Sequence, residues 1–150
     1  MTRSILATAT AAAGLMGLSG LAAAPALAAE LAIEVRGVRS DAGLLYVAVN
    51  TPREGEKFPY SDGMFAGTFQ QAHAGDMRFV LRDLPPGRYA VNAFHDENGN
   101  GDLDTNVLGI PTEGYGFAND PPASFGPPEF EEAAVAVGDE PATVAMTITY

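Results

Sequence analysis

The sequence predicts an all-β chain, an antiparallel β-sandwich of about six to eight short strands. Three observations carry that expectation. Beyond residue 28, apolar residues alternate with polar ones at period two over most of the chain. Clusters of Gly, Pro and Asp punctuate these runs at short intervals. No segment shows the 3.6-residue apolar repeat of an amphipathic helix, so a parallel sheet, which needs crossover helices, is not expected.

The elements follow in order. In residues 31–36, Leu31, Ile33 and Val35 alternate with Ala32, Glu34 and Arg36. A turn around Asp41 leads to a second strand at 44–50, rich in Leu, Tyr and Val. Pro52, Gly55, Pro59 and Gly63 mark a loop. Residues 64–75 are ambiguous, with an edge strand around Phe65 and Phe69 as the expectation. Residues 76–84 place Met77, Phe79 and Leu81 on one face and Arg78 and Arg82 on the other. Pro85-Pro86-Gly87 turns into a strand at 88–95, and two final strands are expected at 133–137 and 144–150. The expected core is Ile33, Val35, Val47, Phe79, Tyr89, Val91, Val135 and Ile148.

The first 28 residues read as a secretory signal. Arg3 is followed by an uncharged Ala- and Leu-rich run from Ile5 to Ala24, then by Ala26-Leu27-Ala28, with small residues where a signal peptidase reads. The expected organisation is therefore a signal at 1–28 and one domain at 29–150, in the periplasm or outside the cell, with no transmembrane segment after cleavage. The chain has no cysteine, so neither a lipid-anchored cysteine nor disulfide staples are available. Its formal net charge is −11; Arg3 is the one charged residue of the signal, so cleavage leaves −12. Such a surface repels nucleic acid and anionic membranes. It suits cations or basic partners.

Residues 96–130 show no clear regular element, and ordered loops of that length are usually functional. They hold seven acidic residues, four aromatics and no Lys or Arg. The segment opens Asp96-Glu97-Asn98-Gly99-Asn100-Gly101-Asp102-Leu103-Asp104. In the spacing of a calcium loop, Asp96, Asn98 and Asn100 fall at ligand positions one, three and five. Gly101 falls at the sharp turn, the Asp102 carbonyl at seven and Asp104 at nine. Short oxygen-bearing side chains on alternate residues of a tight loop converge on one point, which is what Ca²⁺ requires. Position twelve, which should be a bidentate glutamate, is Val107, and the flanking helices are absent. Glu97 and Glu113 are candidates to complete the site. The alternative is an Asx-rich turn that bonds its own backbone.

Other residues carry less. His95 reads as a packed or surface histidine, and no nucleophile accompanies it or His73. Ser61 and Ser124 lack a nucleophile-elbow context. The acidic residues of the loop could serve a hydrolase, but no acid–base constellation assembles, so no catalytic residue and no enzyme activity is expected. Tyr115, Phe117 and Phe125 could form an aromatic platform for sugars or peptides, or could pin the loop to the sandwich.

Two runs carry a resemblance. Leu84-Pro85-Pro86-Gly87-Arg88-Tyr89-Ala90-Val91 resembles the turn and strand of transthyretin-like and carboxypeptidase-regulatory-like sandwiches. Phe94 to Asp104, Gly109 to Phe117 and Gly126 to Phe130 together resemble a bacterial exported family carried as a domain of unknown function, numbered twenty-one forty-one. The resemblance implies an exported Ig-like or transthyretin-like sandwich and no assigned activity.

The combined expectation is an exported, non-enzymatic, calcium-binding module with a structural or binding role, an unidentified protein or glycan partner and no nucleic-acid partner. Mass spectrometry of the exported protein should find a chain beginning at Ala29, within one residue. A product retaining Leu6 to Leu21 would contradict the signal assignment.

Overall fold

In a computed structural model, the chain is described over residues 29–60, 64–122 and 126–150. The expected signal, Ser61, Ser124 and Phe125 lie outside the described residues. Eight strands form: β1 (Ala29–Val38), β2 (Leu44–Asn50), β3 (Ala66–Gln71), β4 (Gly75–Leu84), β5 (Gly87–Asp96), β6 (Gly114–Phe117), β7 (Ala134–Val137) and β8 (Ala142–Thr147). The described residues contain no helix, hence none long and apolar enough to cross a membrane.

The strands build two facing sheets. One has the order β4-β1-β8, and the other β3-β2-β5-β6 with β7 also paired to β5. The pairings are antiparallel except for β1 with β8, which run parallel from Leu31 opposite Ala142 to Arg36 opposite Thr147. This corrects the all-antiparallel expectation. Period-two patterning fixes which face of a strand is buried but carries no information on the direction of its neighbour.

Alternation sets the core. Leu31, Ile33 and Val35 of β1, Phe79 of β4 and Met146 of β8 face Leu45, Val47 and Val49 of β2 and Tyr89 and Val91 of β5, all essentially buried. Of the expected core, Ile33, Val35, Val47, Phe79, Tyr89, Val91 and Ile148 are buried. Val135 is half-buried and only packs against the cluster. It sits on a short outer strand flanked from one side, and Val137 takes the enclosed position instead. Near the end of β4 the alternation slips. Leu31 pairs with Leu81 but Ala29 pairs with Leu84, an irregularity that places Asp83 at φ 61°. The extra residue turns Leu84 inward and leaves Arg82 and Asp83 exposed.

The 96–130 segment is not one irregular loop, because β6 lies within it. Gly-Tyr-Gly-Phe is a poor strand signal on propensity, yet both glycines are required by close approach. A Cβ on Gly116 would stand 2.6 Å from the Thr147 carbonyl oxygen, and one on Gly114 would stand 2.3 Å from the Tyr150 ring. β6 is therefore clamped between β5 and the residues after β8, where Tyr115 and Thr149 exchange backbone hydrogen bonds of 2.9 and 2.8 Å.

Phe79 lies fully buried in this core. Phe79→Ala should lower the unfolding free energy by about 3–5 kcal/mol, read from urea denaturation. A loss below about 1 kcal/mol would mean that the two sheets do not close on this residue.

Candidate functional site

The β5–β6 pairing ends at His95 opposite Gly114, so residues 97–113 form a long hairpin connection with Asp96 and Glu113 at its neck. Both carboxylates are buried. A buried anion must be compensated, and here the compensation comes from backbone N–H groups of the loop itself. Asp96 Oδ1 accepts from Gly99 (2.7 Å) and Asn100 (3.1 Å), and Oδ2 from Gly101 (2.8 Å). Glu113 accepts from the N–H of Glu97 through Oε1 (2.8 Å) and of Asp104 through Oε2 (3.1 Å). Gly99 and Gly101 adopt positive φ, 77° and 87°, which lets three successive amides turn toward one carboxylate.

Above this neck, Asp104 collects the two amide side chains. Asn100 Nδ2 donates to Asp104 Oδ1 at 3.0 Å and Asn98 Nδ2 donates to Oδ2. The amide oxygens close Asx turns: Asn98 Oδ1 accepts from Asn100 N–H (3.0 Å), and Asn100 Oδ1 from Asp102 N–H (2.9 Å). The sequence-derived set thus gathers Asp96, Asn98, Asn100 and Asp104 in one loop. Asp102 is exposed and joins it through its backbone. Among the described residues no group of three or more His, Cys, Asp or Glu gathers as a metal cluster. The candidate set is two carboxylates and two amides.

Glu97 turns away from this set. Arg39 holds it in a two-pronged ion pair, Nε to Oε1 at 3.0 Å and Nη2 to Oε2, and the Ser40 hydroxyl adds 3.1 Å to Oε1. The Arg39 guanidinium lies 4.1 Å from the Tyr150 ring centroid, and its backbone N–H donates to the Tyr150 hydroxyl (3.0 Å). His95 is fully buried. The Ala42 carbonyl, 2.7 Å from Nε2, can only accept, so Nε2 carries the hydrogen. In the neutral ring Nδ1, 2.6 Å away, then accepts from the Tyr150 hydroxyl. His95 is thus a packed residue that ties the β1–β2 turn to the chain after β8. Sequence reasoning missed Arg39, Ser40 and Tyr150, because their partners are 55 to 111 residues away and no local motif joins them. Gly43 closes the same corner, and a Cβ there would stand 1.8 Å from the Asp96 carbonyl oxygen.

The hairpin tip is apolar and held by Asn106. Asn106 Oδ1 accepts from Leu108 and Ile110 N–H, and Val107, Leu108 and Ile110 are exposed. On β6, Tyr115 and Phe117 are half-buried. The Phe117 ring meets Phe58 edge-on at 5.7 Å, so it pins the 51–60 loop to the sheet. A cavity of about 510 Å³ lies beside both rings, lined also by Pro59, Leu103, Ile110 and Pro111.

Fold and loop together define an all-β sandwich that carries a carboxylate-closed hairpin between two neighbouring strands. The chain belongs to the bacterial family described as "Uncharacterized protein conserved in bacteria (DUF2141)", which it matches over residues 33–145. No curated protein matches it. Among solved structures it is similar to a pilus-presented adhesin, at 13% identity and a TM-score of 0.33, covering 82% of this chain and 27% of that one.

The Arg39 pairing holds the Glu97 carboxyl below the usual glutamate range, with the Ser40 hydrogen bond acting in the same sense. A carboxyl depressed in the folded state contributes stability above its unfolded pKa, about 4.3, and loses that contribution as the pH falls through the folded value. Glu97→Gln should therefore melt below the parent at pH 7. The two curves should converge as the pH drops below about 4. A constant gap across that range would show that the pairing charge contributes nothing.

Proposed function

We propose that this protein is an exported, non-enzymatic module whose 96–113 hairpin binds Ca²⁺ weakly and serves as a stiffened recognition element. One observation supports it most. Asp96, Asn98, Asn100 and Asp104 are tied together by hydrogen bonds within one nine-residue loop, in the spacing expected of a calcium-binding segment. Rotation of the two amides at Asp104 would exchange their N–H donors for oxygens toward a cation. With Glu97 and Glu113 committed elsewhere, few charged ligands remain. That favours an affinity of about 10⁻⁴–10⁻³ M, the range of extracellular modules. The non-enzymatic reading rests on how the titratable groups are engaged. Asp96, Glu113 and His95 are buried and bonded to backbone, and Glu97 is held by Arg39.

Thermal unfolding with added calcium tests the proposal. At a hundredfold excess over Kd the stabilisation is about 2.7 kcal/mol, a rise of several degrees in Tm. Mg²⁺ should act more weakly, since it dehydrates reluctantly. Asp104→Asn, which keeps one acceptor for the two amide donors, should remove the calcium response with the sandwich still folded by circular dichroism. Glu140→Gln, in the β7–β8 turn, should retain it. Asp120 is unsuited as a control, because its carboxylate accepts from the Thr147 backbone N–H (2.6 Å) and hydroxyl (3.1 Å). No response up to about 10 mM Ca²⁺ would leave the loop as a self-bonded turn and end the calcium reading.

A further inference from the structure

We propose that the free edge of β3 pairs with β3 of a second copy of this chain, in antiparallel two-fold register centred on Phe69. The inference is independent of the calcium reading and starts from how the sheet edges are treated. An unprotected edge strand is a template for another strand, and proteins ordinarily blunt it with charge, proline or a covering segment. The outer edge of β4 carries Asp76, Arg78, Arg82 and Asp83, and the Gln70 amide donates to the Arg78 carbonyl at 3.2 Å. β8 is closed by Asn119 N–H on the Ala145 carbonyl (3.0 Å) and by the Asp120 carboxylate on Thr147 N–H. The Asn119 side chain caps the Glu132 and Ala134 carbonyls beside β7. β6 is covered by Thr149.

β3 ends its sheet, paired to β2 on one side, and meets β4 at the corner through Gln70. Residues 64–75 contain no Asp, Glu, Lys, Arg or Pro, in a chain with a formal net charge of −11. Ala72 N–H bonds to the Gly43 carbonyl (3.1 Å), and the register runs on through Gln70 opposite Leu45 and Thr68 opposite Val47. By antiparallel alternation, the peptide groups of Ala66, Thr68 and Gln70 therefore face β2, and those of Gly67, Phe69 and Gln71 face outward.

The side chains specify the occupant. Phe69, Tyr46 and Phe94 lie opposite one another on β3, β2 and β5, on the face of the sheet turned away from the core. Tyr46 and Phe94 stack at 4.8 Å with an interplanar angle of 4°, and Tyr46 and Phe69 follow at 5.2 Å and 37°. Stacked rings close each other's faces, so the row is not a platform for a flat ligand. It ends at Phe69, which is 58% exposed. Pairing about Phe69 sets Phe69 opposite its own copy and Gly67 opposite Gln71, and the aromatic row continues across the axis into the second sheet. An uncharged edge also lets two acidic copies meet without opposing carboxylates.

One strand pair is a small interface, so the dimer should be weak, with a dissociation constant of about 10 μM to 1 mM. Added salt should strengthen it by screening the net charge. Sedimentation equilibrium over that concentration range tests the association, and hydrogen exchange locates it. The amides of Gly67, Phe69 and Gln71 should become protected as concentration rises. Phe69→Lys should weaken association at least about tenfold with the fold intact by circular dichroism, and Glu140→Gln, an equal charge change elsewhere, should not. Three results would overturn the proposal: a monomer at about 1 mM, a dimer that survives Phe69→Lys, or protection of those amides only when a different extended peptide is added.

Discussion

The structure depends on the division of hydrogen bonds along the two edges of β5. One edge is given wholly to β2, from Leu44 opposite Asp96 to Asn50 opposite Ala90. The other is shared: Gly87 to Ala90 pair with β7, and Asn92 to His95 pair with β6. Val91 stands at the junction, donating to the Ala133 carbonyl and accepting from Ala118 N–H. Because one strand serves both, the chain between β6 and β7 must leave and return at the same point, and the hairpin before β6 must project from the end of the sheet. The hairpin that carries Asp96, Asn98, Asn100 and Asp104 is placed by that sharing.

The fold class was legible because its signal is local. β2 matches its sequence-derived bounds, and β1, β4, β5, β7 and β8 differ from theirs by three residues or fewer at either end. The parallel β1–β8 pair and strand β6 were not legible, since each is decided by a partner distant in sequence. Gly114 and Gly116 illustrate the reason. Their lack of side chains looks like weak strand propensity, whereas the cause is the backbone and rings of residues 147–150 lying against them. The loop was half legible. Spacing gathered Asp96, Asn98, Asn100 and Asp104, but it could not tell that Glu97 would belong to Arg39 or that Glu113 would close the neck.

An acidic loop without a single Lys or Arg raises the question of what offsets its charge. Within residues 96–113 much of the answer is main-chain: five loop N–H groups point at the two neck carboxylates. Amide donors to a carboxylate form charge-assisted hydrogen bonds and fix geometry as well as charge. Asp120 repeats the device at the far side of the sheet, where it takes up an edge N–H that would otherwise be unpaired. Much of the acidity of this segment is thus a means of ending strands and folding turns.

The parallel alignment of β1 with β8 has a mechanical consequence. The first and last strands lie side by side over six residue pairs and point the same way. Tension applied between the beginning of β1 and the end of β8 therefore runs along the strands, not across them. It loads the whole ladder in shear, so the rungs must fail together instead of opening one at a time like a zipper. Pulled at these two points, the sandwich resists as a tether.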